Sequence, residues 1–301
     1  MAASRAGSLP TERVRSRHTA EYYTRRSGRL VLYAAVLVGA TFFTGPFLWT
    51  VLSSLKDAAE IVTFPPTFLP SVPQWSNYPN AWNRVPFGLW YRNTAFVVAL
   101  ALIGETATST LVAYGFARFP FRGREPLFLL VLSTMMIPGE VTMIPSFLIF
   151  KWLGWLDTLA PLIVPHWFGG GAFYIFLMRQ FFMTIPLDFD EAAQIDGAGT
   201  FRVLWNVLLP LCKPAITSVA IFSFLGHWNE FFAPLIYLNT PEKFTISLGL
   251  RYFQTIPMDP GEPKEHLLMA GTIMMAAPCV LLFFVAQRYF VQGIVMSGIK
   301  G

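Results

Sequence analysis

Six apolar segments, each long enough to cross a membrane, alternate with polar segments along the chain. A helix that rises 1.5 Å per residue needs about 20 mainly apolar residues to cross a hydrocarbon layer about 30 Å thick. Segments of this kind occupy residues 30–55, 95–117, 126–150, 158–177, 214–238 and 267–290. The pattern therefore predicts an all-α integral membrane protein with six transmembrane helices.

The composition agrees with a membrane protein and excludes a water-exposed surface over most of the chain. Of the 301 residues, 54% are hydrophobic and only 13% are charged, whereas soluble domains carry about 25% charged residues. The first apolar run is longer than the core of a signal peptide, so we interpret it as an uncleaved span. Cys212 and Cys279 lie beside or inside predicted spans, which indicates buried thiols rather than a disulfide framework or a thiol metal site.

The basic residues are distributed unequally between the two sides of the membrane. Of the 22 lysines and arginines, 15 fall on the side that carries both termini and 7 on the other. Lysine and arginine are enriched in cytoplasmic loops, so both termini are predicted to be cytoplasmic. Acidic residues outside the spans divide 7 and 7, which gives the cytoplasmic side a net charge of +8. Attraction to anionic headgroups explains the basic N-terminal segment without nucleic acid.

These patterns divide the chain into three parts. Residues 1–29 form a cytoplasmic N-terminal segment, 30–290 form the transmembrane domain, and 291–301 form a cytoplasmic tail. The transmembrane domain contains a charged cytoplasmic loop at 185–213. An outer loop at 239–266 carries the apolar island FTISLGLRYF, which is either a segment that caps the helix bundle or a docking surface.

A charged stretch with a glycine pair interrupts the apolar pattern at 190–211, DEAAQIDGAGTFRVLWNVLLPL. Asp188 stands three residues before Glu191, which is the D-x-x-E form of a capping box and predicts a helix that begins at Phe189. Acidic residues in a first helical turn are favoured by the helix dipole. Gly197 is predicted to end this helix in the left-handed conformation.

A second short helix is predicted after the glycines, with Thr200 as its N-cap and Pro210 as its stop. Its apolar stripe comprises Phe201, Leu204, Trp205, Leu208 and Leu209. In the first helix, the small side chains of Ala192 and Ala193 let another surface approach closely. A rigid helix of eight residues, about 12 Å long, is better suited to docking into a partner than to catalysis.

The stretch resembles the EAA motif of the permease subunits of ATP-binding-cassette (ABC) importers. The matching residues are Glu191, Ala192, Ala193, Gly197, Leu209 and Pro210, and Val207 stands where the family usually has isoleucine. In that family this loop is the coupling helix that docks into a groove of the cytoplasmic ATPase subunit. The resemblance therefore implies that these six residues, together with Asp196, couple the chain to an ATPase.

Three other stretches resemble the carbohydrate-type, maltose-transporter-like members of that family. They are AYGFARFPFRG at 113–123, HWNEFFAPLIYL at 227–238 and the C-terminal GIKG. The resemblance implies the type I ABC importer permease fold in a bacterial or archaeal cytoplasmic membrane. It also implies a sugar or sugar-like solute, a second permease subunit, two ATP-binding subunits and an extracytoplasmic solute-binding protein.

No motif of the chain predicts catalysis or a cofactor. GIVMSGIK at 293–300 lacks the lysine directly after the second glycine that a phosphate-binding loop requires, so ATP and Mg²⁺ are expected in the partner subunit. His18, His166, His227 and His266 show no ligand spacing with one another or with cysteine. We therefore expect no metal site.

Three carboxylates, Glu105, Glu140 and Glu230, lie inside predicted spans. An ionised acid at this depth costs about 2.5 to 3.5 kcal/mol, so each is expected to face the bundle interior. They either lock helices together through hydrogen bonds or line a path for a hydroxylated solute. In the second case Asn229 would add a hydrogen-bonding group and Trp228 a stacking platform for a sugar.

Other functions remain as alternatives. An importer permease of the same fold for a non-sugar solute fits the same motif. An intramembrane enzyme that uses one of the three carboxylates is disfavoured because no nucleophile or metal constellation accompanies them. An independent channel or ion-coupled carrier is less favoured because the six spans show no internal repeat.

Overall fold

The computed structural model describes residues 11–255 and 263–298, with side chains from 28–29, 31–255 and 263–287. All regular elements within these ranges are helical, as the apolar pattern predicts. Residues 1–10 and 299–301, the extreme ends of the predicted N-terminal segment and tail, lie outside the described residues. The first helix begins at Thr11, inside the predicted N-terminal segment, and runs into the first span.

Fifteen α-helices follow one another along the described residues. They are α1 (Thr11–Ser54), α2 (Ala58–Ile61), α3 (Asn77–Arg84), α4 (Phe87–Arg118), α5 (Arg124–Ser133), α6 (Gly139–Trp152), α7 (Ala160–Ile163), α8 (Ala172–Thr184), α9 (Asp188–Ile195), α10 (Thr200–Val203), α11 (Leu209–Leu211), α12 (Lys213–Asn229), α13 (Phe232–Tyr237), α14 (Ile246–Phe253) and α15 (Glu265–Gly298). Short 3₁₀ turns occupy Thr134–Met136, Val164–Trp167 and Pro241–Lys243, and a π turn occupies Leu204–Leu208.

Four helical segments of the described residues are long and apolar enough to cross a membrane. They are Val31–Ser54, Phe87–Arg118, Ala160–Thr184 and Glu265–Gln287. Two bent pairs add up to two more: Arg124–Met136 with Gly139–Trp152, and Thr200–Leu211 with Lys213–Asn229. The six predicted spans therefore correspond to these four segments, of which Ala160–Thr184 is interrupted between α7 and α8, and to the two bent pairs.

The third predicted span is bent by 96° between Met136 and Gly139. The break contains Pro138, whose preceding residue, Ile137, has the extended backbone (φ −85°, ψ 116°) that a following proline favours. A proline followed by a glycine predicts a kink in an apolar helix, and the structure has one at the Pro138–Gly139 step.

The fifth predicted span, 214–238, is not one helix. Helix α12 ends at Asn229, Glu230 is extended, and α13 begins only at Phe232. In a continuous helix the ring of Pro234 would clash with the carbonyl of Glu230, four residues earlier. Proline also has no backbone N–H to donate to that carbonyl. The hydroxyl of Ser247 donates to that carbonyl instead.

Helix α4 is the centre of the molecule and borders two buried clusters. The first cluster lies at the N-terminal end of α4 and includes Trp90 and Ile246, both fully buried. The second lies toward its C-terminal end and includes Met178 and Leu208. Helix α14, which lies in the apolar island of the 239–266 loop, buries its apolar face in the first cluster, so the island caps the bundle.

Candidate functional site

Helix α9 carries the residues that match the EAA motif. It begins at Asp188, one residue earlier than predicted, and no side chain caps it. The predicted capping box is therefore wrong: the backbone N–H groups of Asp190 and Glu191 donate to the carbonyl of Leu187 at 2.8 and 3.0 Å. The three acidic residues do lie in the first turn, where the helix dipole favours them.

The end of α9 is a complete Schellman turn around Gly197. The φ of Gly197 is +79°, which confirms the predicted left-handed conformation. The N–H of Ala198 donates to the carbonyl of Ala193 at 2.9 Å, and the N–H of Gly197 donates to that of Gln194 at 2.9 Å. The turn fixes the angle at which the chain leaves α9.

The second helix of the loop comprises α10, the π turn and α11. It differs from its prediction at both ends. Thr200 is its first residue rather than its cap, and Pro210 does not stop it. A proline in a regular α-helix would clash with the carbonyl of Asn206, and the wider π turn just before it accommodates the ring. The helix ends at Leu211, and the chain turns by 80° at Cys212 into α12.

The predicted apolar stripe of this helix is divided between two environments. Leu204 and Leu208 are buried in the second cluster, together with Val203, which the prediction omitted. Phe201 and Trp205 are largely exposed. One apolar side therefore packs inside this chain, and the other is available to lipid or another subunit.

A buried ion pair fixes α9 to the C-terminal end of α4. Nη2 of Arg118 lies 3.2 Å from Oδ2 of Asp190, and both side chains are at least nine-tenths buried. The same nitrogen donates to the carbonyl of Ile185 at 3.0 Å, and the hydroxyl of Tyr114 donates to the carbonyl of Thr200 at 3.0 Å. Because a buried charge is costly without its partner, this pair holds the loop in one position.

The remaining surface of α9 is exposed. Glu191, Ala192, Asp196 and Gly197 are exposed, whereas Ala193 is half-buried against the second cluster. Leu209 is half-buried and Pro210 exposed. Ile195, which lies near the tip, is 86% exposed. The loop thus presents a small, rigid, mixed acidic and apolar face.

A polar cluster, distinct from the two apolar clusters, lies near the middle of the bundle around Glu105. This carboxylate is buried on α4. Its Oε2 accepts a hydrogen bond from the hydroxyl of Ser223 at 2.6 Å and lies 3.1 Å from Nε2 of His227. Its Oε1 lies 3.4 Å from Nδ1 of His166. Glu105 therefore joins α4, α12 and the 3₁₀ turn before α8.

A run of three glycines brings this turn against α4. Gly169, Gly170 and Gly171 all have positive φ, a conformation that side chains rarely adopt. A Cβ on Gly170 would lie 2.5 Å from the carbonyl oxygen of Glu105. Three consecutive glycines inside an apolar span are the sequence signal from which this close backbone approach could have been predicted.

A cavity of about 180 Å³ opens beside the Glu105 cluster. Its polar lining consists of His166, His227, Glu230 and Thr245, and its walls are otherwise apolar. Oε1 of Glu230 accepts a hydrogen bond from the N–H of Ala233 at 3.1 Å. The extended residue that breaks the fifth span thus faces this cavity.

Comparison with known proteins places the chain in a family. Residues 105–296 match the family described as "Binding-protein-dependent transport system inner membrane component". The chain belongs to this family. Its members are the non-catalytic membrane subunits of ABC transporters, so the predicted recognition and the predicted type I importer permease fold are both confirmed.

Individual permeases and one solved structure match most of the chain. The diacetylchitobiose uptake system permease protein of Streptomyces coelicolor is 32% identical over 261 residues, 86% of this chain and 84% of that protein. The sn-glycerol-3-phosphate transport system permease protein of Yersinia pestis is 31% identical over 281 residues, 91% of this chain and 98% of that protein. A bacterial ABC transporter involved in the import of the acidic polysaccharide alginate superimposes with a TM-score of 0.80 and 25% identity, covering 89% of this chain and 98% of that chain.

The structure places the five residues predicted to form a solute path through the permease in different environments. Glu105 is buried and Glu230 lines the cavity. Glu140 is exposed on α6, so the expectation that it faces the interior is not met within this chain. Asn229 is exposed and donates to the carbonyl of Leu225 in its own helix. The apolar stretch around Glu140 gave no indication of which helix face is covered.

Trp228 does not offer a ring face to a solute in this structure. Its indole is buried, stacks on Phe224 at an interplanar angle of 14° and meets Tyr91 edge-on. Its Nε1 donates to the carbonyl of Met275 at 2.9 Å. Trp228 therefore joins α12 to α15 and α4, which corrects the predicted role as a stacking platform.

The expectation of no metal site rested on the spacing of the histidines along the chain. The fold brings two of the four, His166 and His227, to a ring-centroid distance of 4.3 Å. Each also approaches the same carboxylate, Glu105. Spacing along the chain does not show which side chains the tertiary fold brings together from three separate elements.

Proposed function

We propose that this permease carries a sugar or sugar-like solute into the cell and is driven by ATP hydrolysis in a partner. The observation that carries the coupling role is the rigid α9, which the buried Arg118–Asp190 pair holds at one end of α4. The solute class is supported by the names of the similar permeases. These name diacetylchitobiose, arabinooligosaccharides and sn-glycerol-3-phosphate, which are all hydroxylated compounds.

The proposal assigns the exposed face of the 185–213 loop to an ATP-binding subunit that holds ATP and Mg²⁺. Glu191, Ala192 and Ile195 lie on the exposed part of α9, and Gly197 sets the direction of the chain after it. The complete importer contains a second permease, two ATP-binding subunits and an extracytoplasmic solute-binding protein. Both termini and this loop lie in the cytoplasm.

The proposal assigns solute contact to the cavity beside Glu105. Its polar groups, His166, His227, Glu230 and Thr245, offer hydrogen bonds to hydroxyls. At about 180 Å³ it is smaller than the 300 to 1,000 Å³ of most ligand pockets. This chain therefore contacts part of the solute, and the second permease contacts the rest. The exposed Glu140 and Asn229 are available to that second permease.

A pair of glycine substitutions tests the coupling role. Gly197 has a φ of +79° and Gly199 a φ of −71°, and a Cβ at either position meets no atom within 4 Å. Gly197→Val strains the left-handed turn by about 1 to 2 kcal/mol and misdirects α9, whereas Gly199→Val fits its extended backbone. We expect Gly197→Val to lose transport and solute-stimulated ATP hydrolysis, and Gly199→Val to retain both.

The measurement uses the permease with its co-purifying subunits in proteoliposomes, with membrane insertion and subunit stoichiometry as controls. Normal coupling in Gly197→Val would exclude the docking role of α9. Equal loss in both variants would show that the loop tolerates no added side chain, and would also contradict the proposed turn geometry.

A further inference from the structure

The Glu105 cluster has the composition and the spacing of a metal site. One ligand atom from each of Glu105, His166 and His227 lies within 4.8 Å of the other two. The carboxylate oxygens lie 3.4 Å from Nδ1 of His166 and 3.1 Å from Nε2 of His227. Two histidines and one carboxylate are the donors of several catalytic zinc sites and of the facial triad of non-haem iron sites.

These separations match those of ligands around one ion. Zinc binds histidine nitrogen and carboxylate oxygen at about 2.0 to 2.2 Å, so adjacent ligand atoms lie about 3.4 Å apart in a tetrahedron and about 3.0 Å apart in an octahedron. The distances of 3.4 and 3.1 Å, which run from Oε1 and Oε2 of Glu105 respectively, fall in this range, and one ligand atom from each residue lies within 4.8 Å of the other two. We propose that Glu105, His166 and His227 bind a divalent transition-metal ion such as Zn²⁺.

The surroundings of the three ligands support binding of an ion. The hydroxyl of Ser223 donates to Oε2 of Glu105 at 2.6 Å and orients the carboxylate, as outer-shell groups do in metal sites. His166 and His227 line the cavity of about 180 Å³, which leaves an open coordination position for water or a solute hydroxyl. A divalent ion would also balance the charge of the buried carboxylate.

A metal-free cluster is the competing interpretation. The ring N–H groups of His166 and His227 would then donate to Glu105, and the three side chains would act only as a polar lock between elements. Both interpretations predict that the side chains are needed for stability. They differ in one property, which is saturable binding of one metal ion that depends on the histidines.

The experiment uses the full-length permease with its co-purifying subunits, stripped of metal with a chelator and titrated with Co²⁺. Co²⁺ reports its coordination through visible absorption, and equilibrium dialysis gives the stoichiometry. We expect one Co²⁺ per permease chain, displaced by Zn²⁺. His166→Gln and His227→Gln should each weaken binding more than about 10-fold, and Ser223→Ala should weaken it about 10-fold, as loss of an outer-shell partner does.

Two further variants separate a ligand from a structural side chain. His227→Cys supplies a thiolate in place of the imidazole, so Co²⁺ binding should persist and gain a thiolate-to-cobalt charge-transfer band. His266→Gln removes a buried histidine outside the cluster and should leave the Co²⁺ affinity within about twofold. Each variant is first checked for co-purification of its partners.

The proposal fails if the wild-type chain shows no saturable Co²⁺ binding. It also fails if His166→Gln and His227→Gln, folded and assembled, bind Co²⁺ as tightly as the wild type. Since the titration requires no transport, its result is independent of whether this permease imports a sugar.

Discussion

At the scale of single residues, Asp157 shows how one side chain can join two loops. It is the one non-glycine residue with positive φ (+55°) in the described part of the chain. Its carboxylate accepts from the N–H of Asn239 at 3.0 Å, the N–H and hydroxyl of Thr240 at 2.9 and 2.6 Å, and Nζ of Lys243 at 2.8 Å. The loop before α7 is thereby tied to the loop before α14.

This arrangement predicts a loss of stability in acid. Burial raises the pKa of Asp157, but the donors from Lys243, Thr240 and Asn239 outweigh it and hold the pKa well below its usual range. A carboxyl with a depressed folded-state pKa stabilises the fold above its unfolded pKa of about 3.9, and the contribution is lost as pH falls below that value.

Asp157→Asn is the variant that checks this prediction. Asparagine tolerates positive φ but does not titrate, so its fold should be less stable than wild type at neutral pH and should lose less stability on acidification. Thermal unfolding of the purified protein between pH 7 and pH 3 measures the difference. Parallel pH profiles for the two proteins would contradict a role for the ionised carboxylate.

At the scale of elements, broken helices determine which backbone groups reach the interior. Non-helical backbone at membrane depth occurs only where protein covers it or where it lines a cavity. The extended Glu230 between α12 and α13 meets this condition, because its carbonyl is bonded to Ser247 and its side chain lines the cavity. The glycine run before α8 meets it by packing directly on α4.

The glycine run supports a prediction about close packing. Gly170→Ala places a Cβ 2.5 Å from the carbonyl oxygen of Glu105 and 2.8 Å from the nitrogen of Ser109. Overpacking of this kind costs about 1 to 3 kcal/mol. Gly154→Ala is the matched control, since the φ of Gly154 (+69°) is close to that of Gly170 (+61°) but a Cβ there meets no atom within 4 Å.

We expect Gly170→Ala to be less stable than Gly154→Ala, because both variants carry a similar backbone strain and only the first adds the clash. The midpoint of thermal unfolding of the two purified proteins measures the difference. Equal midpoints would mean that the turn does not pack against α4 as closely as the structure indicates.

At the scale of the whole molecule, each end of α4 forms hydrogen bonds or ion pairs with a different loop. Trp90 and Asn93, near its start, bond to the backbone of the segment 241–244. Arg118, at its end, bonds to Asp190 and Ile185. The loops that the charge distribution assigns to one side of the membrane therefore lie together, as a consistent topology requires.

The orientation of these two ends is a prediction. In a variant without Cys212 and Cys279, cysteines at Ser16 and Gly298 should resist a membrane-impermeant thiol reagent in intact cells. A cysteine at Ser76, just before α3, should react. The reason is the 15-to-7 distribution of basic residues. Labelling at Ser16 with protection at Ser76 would mean that the chain is inserted in the opposite direction.

The outer surface of the described helices is strongly apolar. In α1, most side chains between Val31 and Phe43 are exposed, and the exposed side chains of α5 and α6 include Leu130 and Ile144. Such a surface suits contact with lipid or with another membrane subunit. Helices that are apolar all round do not reveal from sequence which face packs inward.

Local chemistry determined much of this protein from its sequence alone. The apolar runs fixed the helical class, Pro138 fixed a break, and Gly197 fixed a left-handed turn, because each depends only on neighbouring residues. The match to the EAA motif indicated the family for the same reason, since its residues lie within one short segment.

The tertiary structure alone decided which distant side chains meet. Glu105, His166 and His227 come from separate elements, and Trp228 turned inward while Glu140 remained exposed. Nothing in an apolar span marks its covered face, because lipid and protein interior select the same residues. The cluster around Glu105 forms because the glycine run lets one backbone approach another. The glycines signal a close approach, but the sequence does not show which helix they approach.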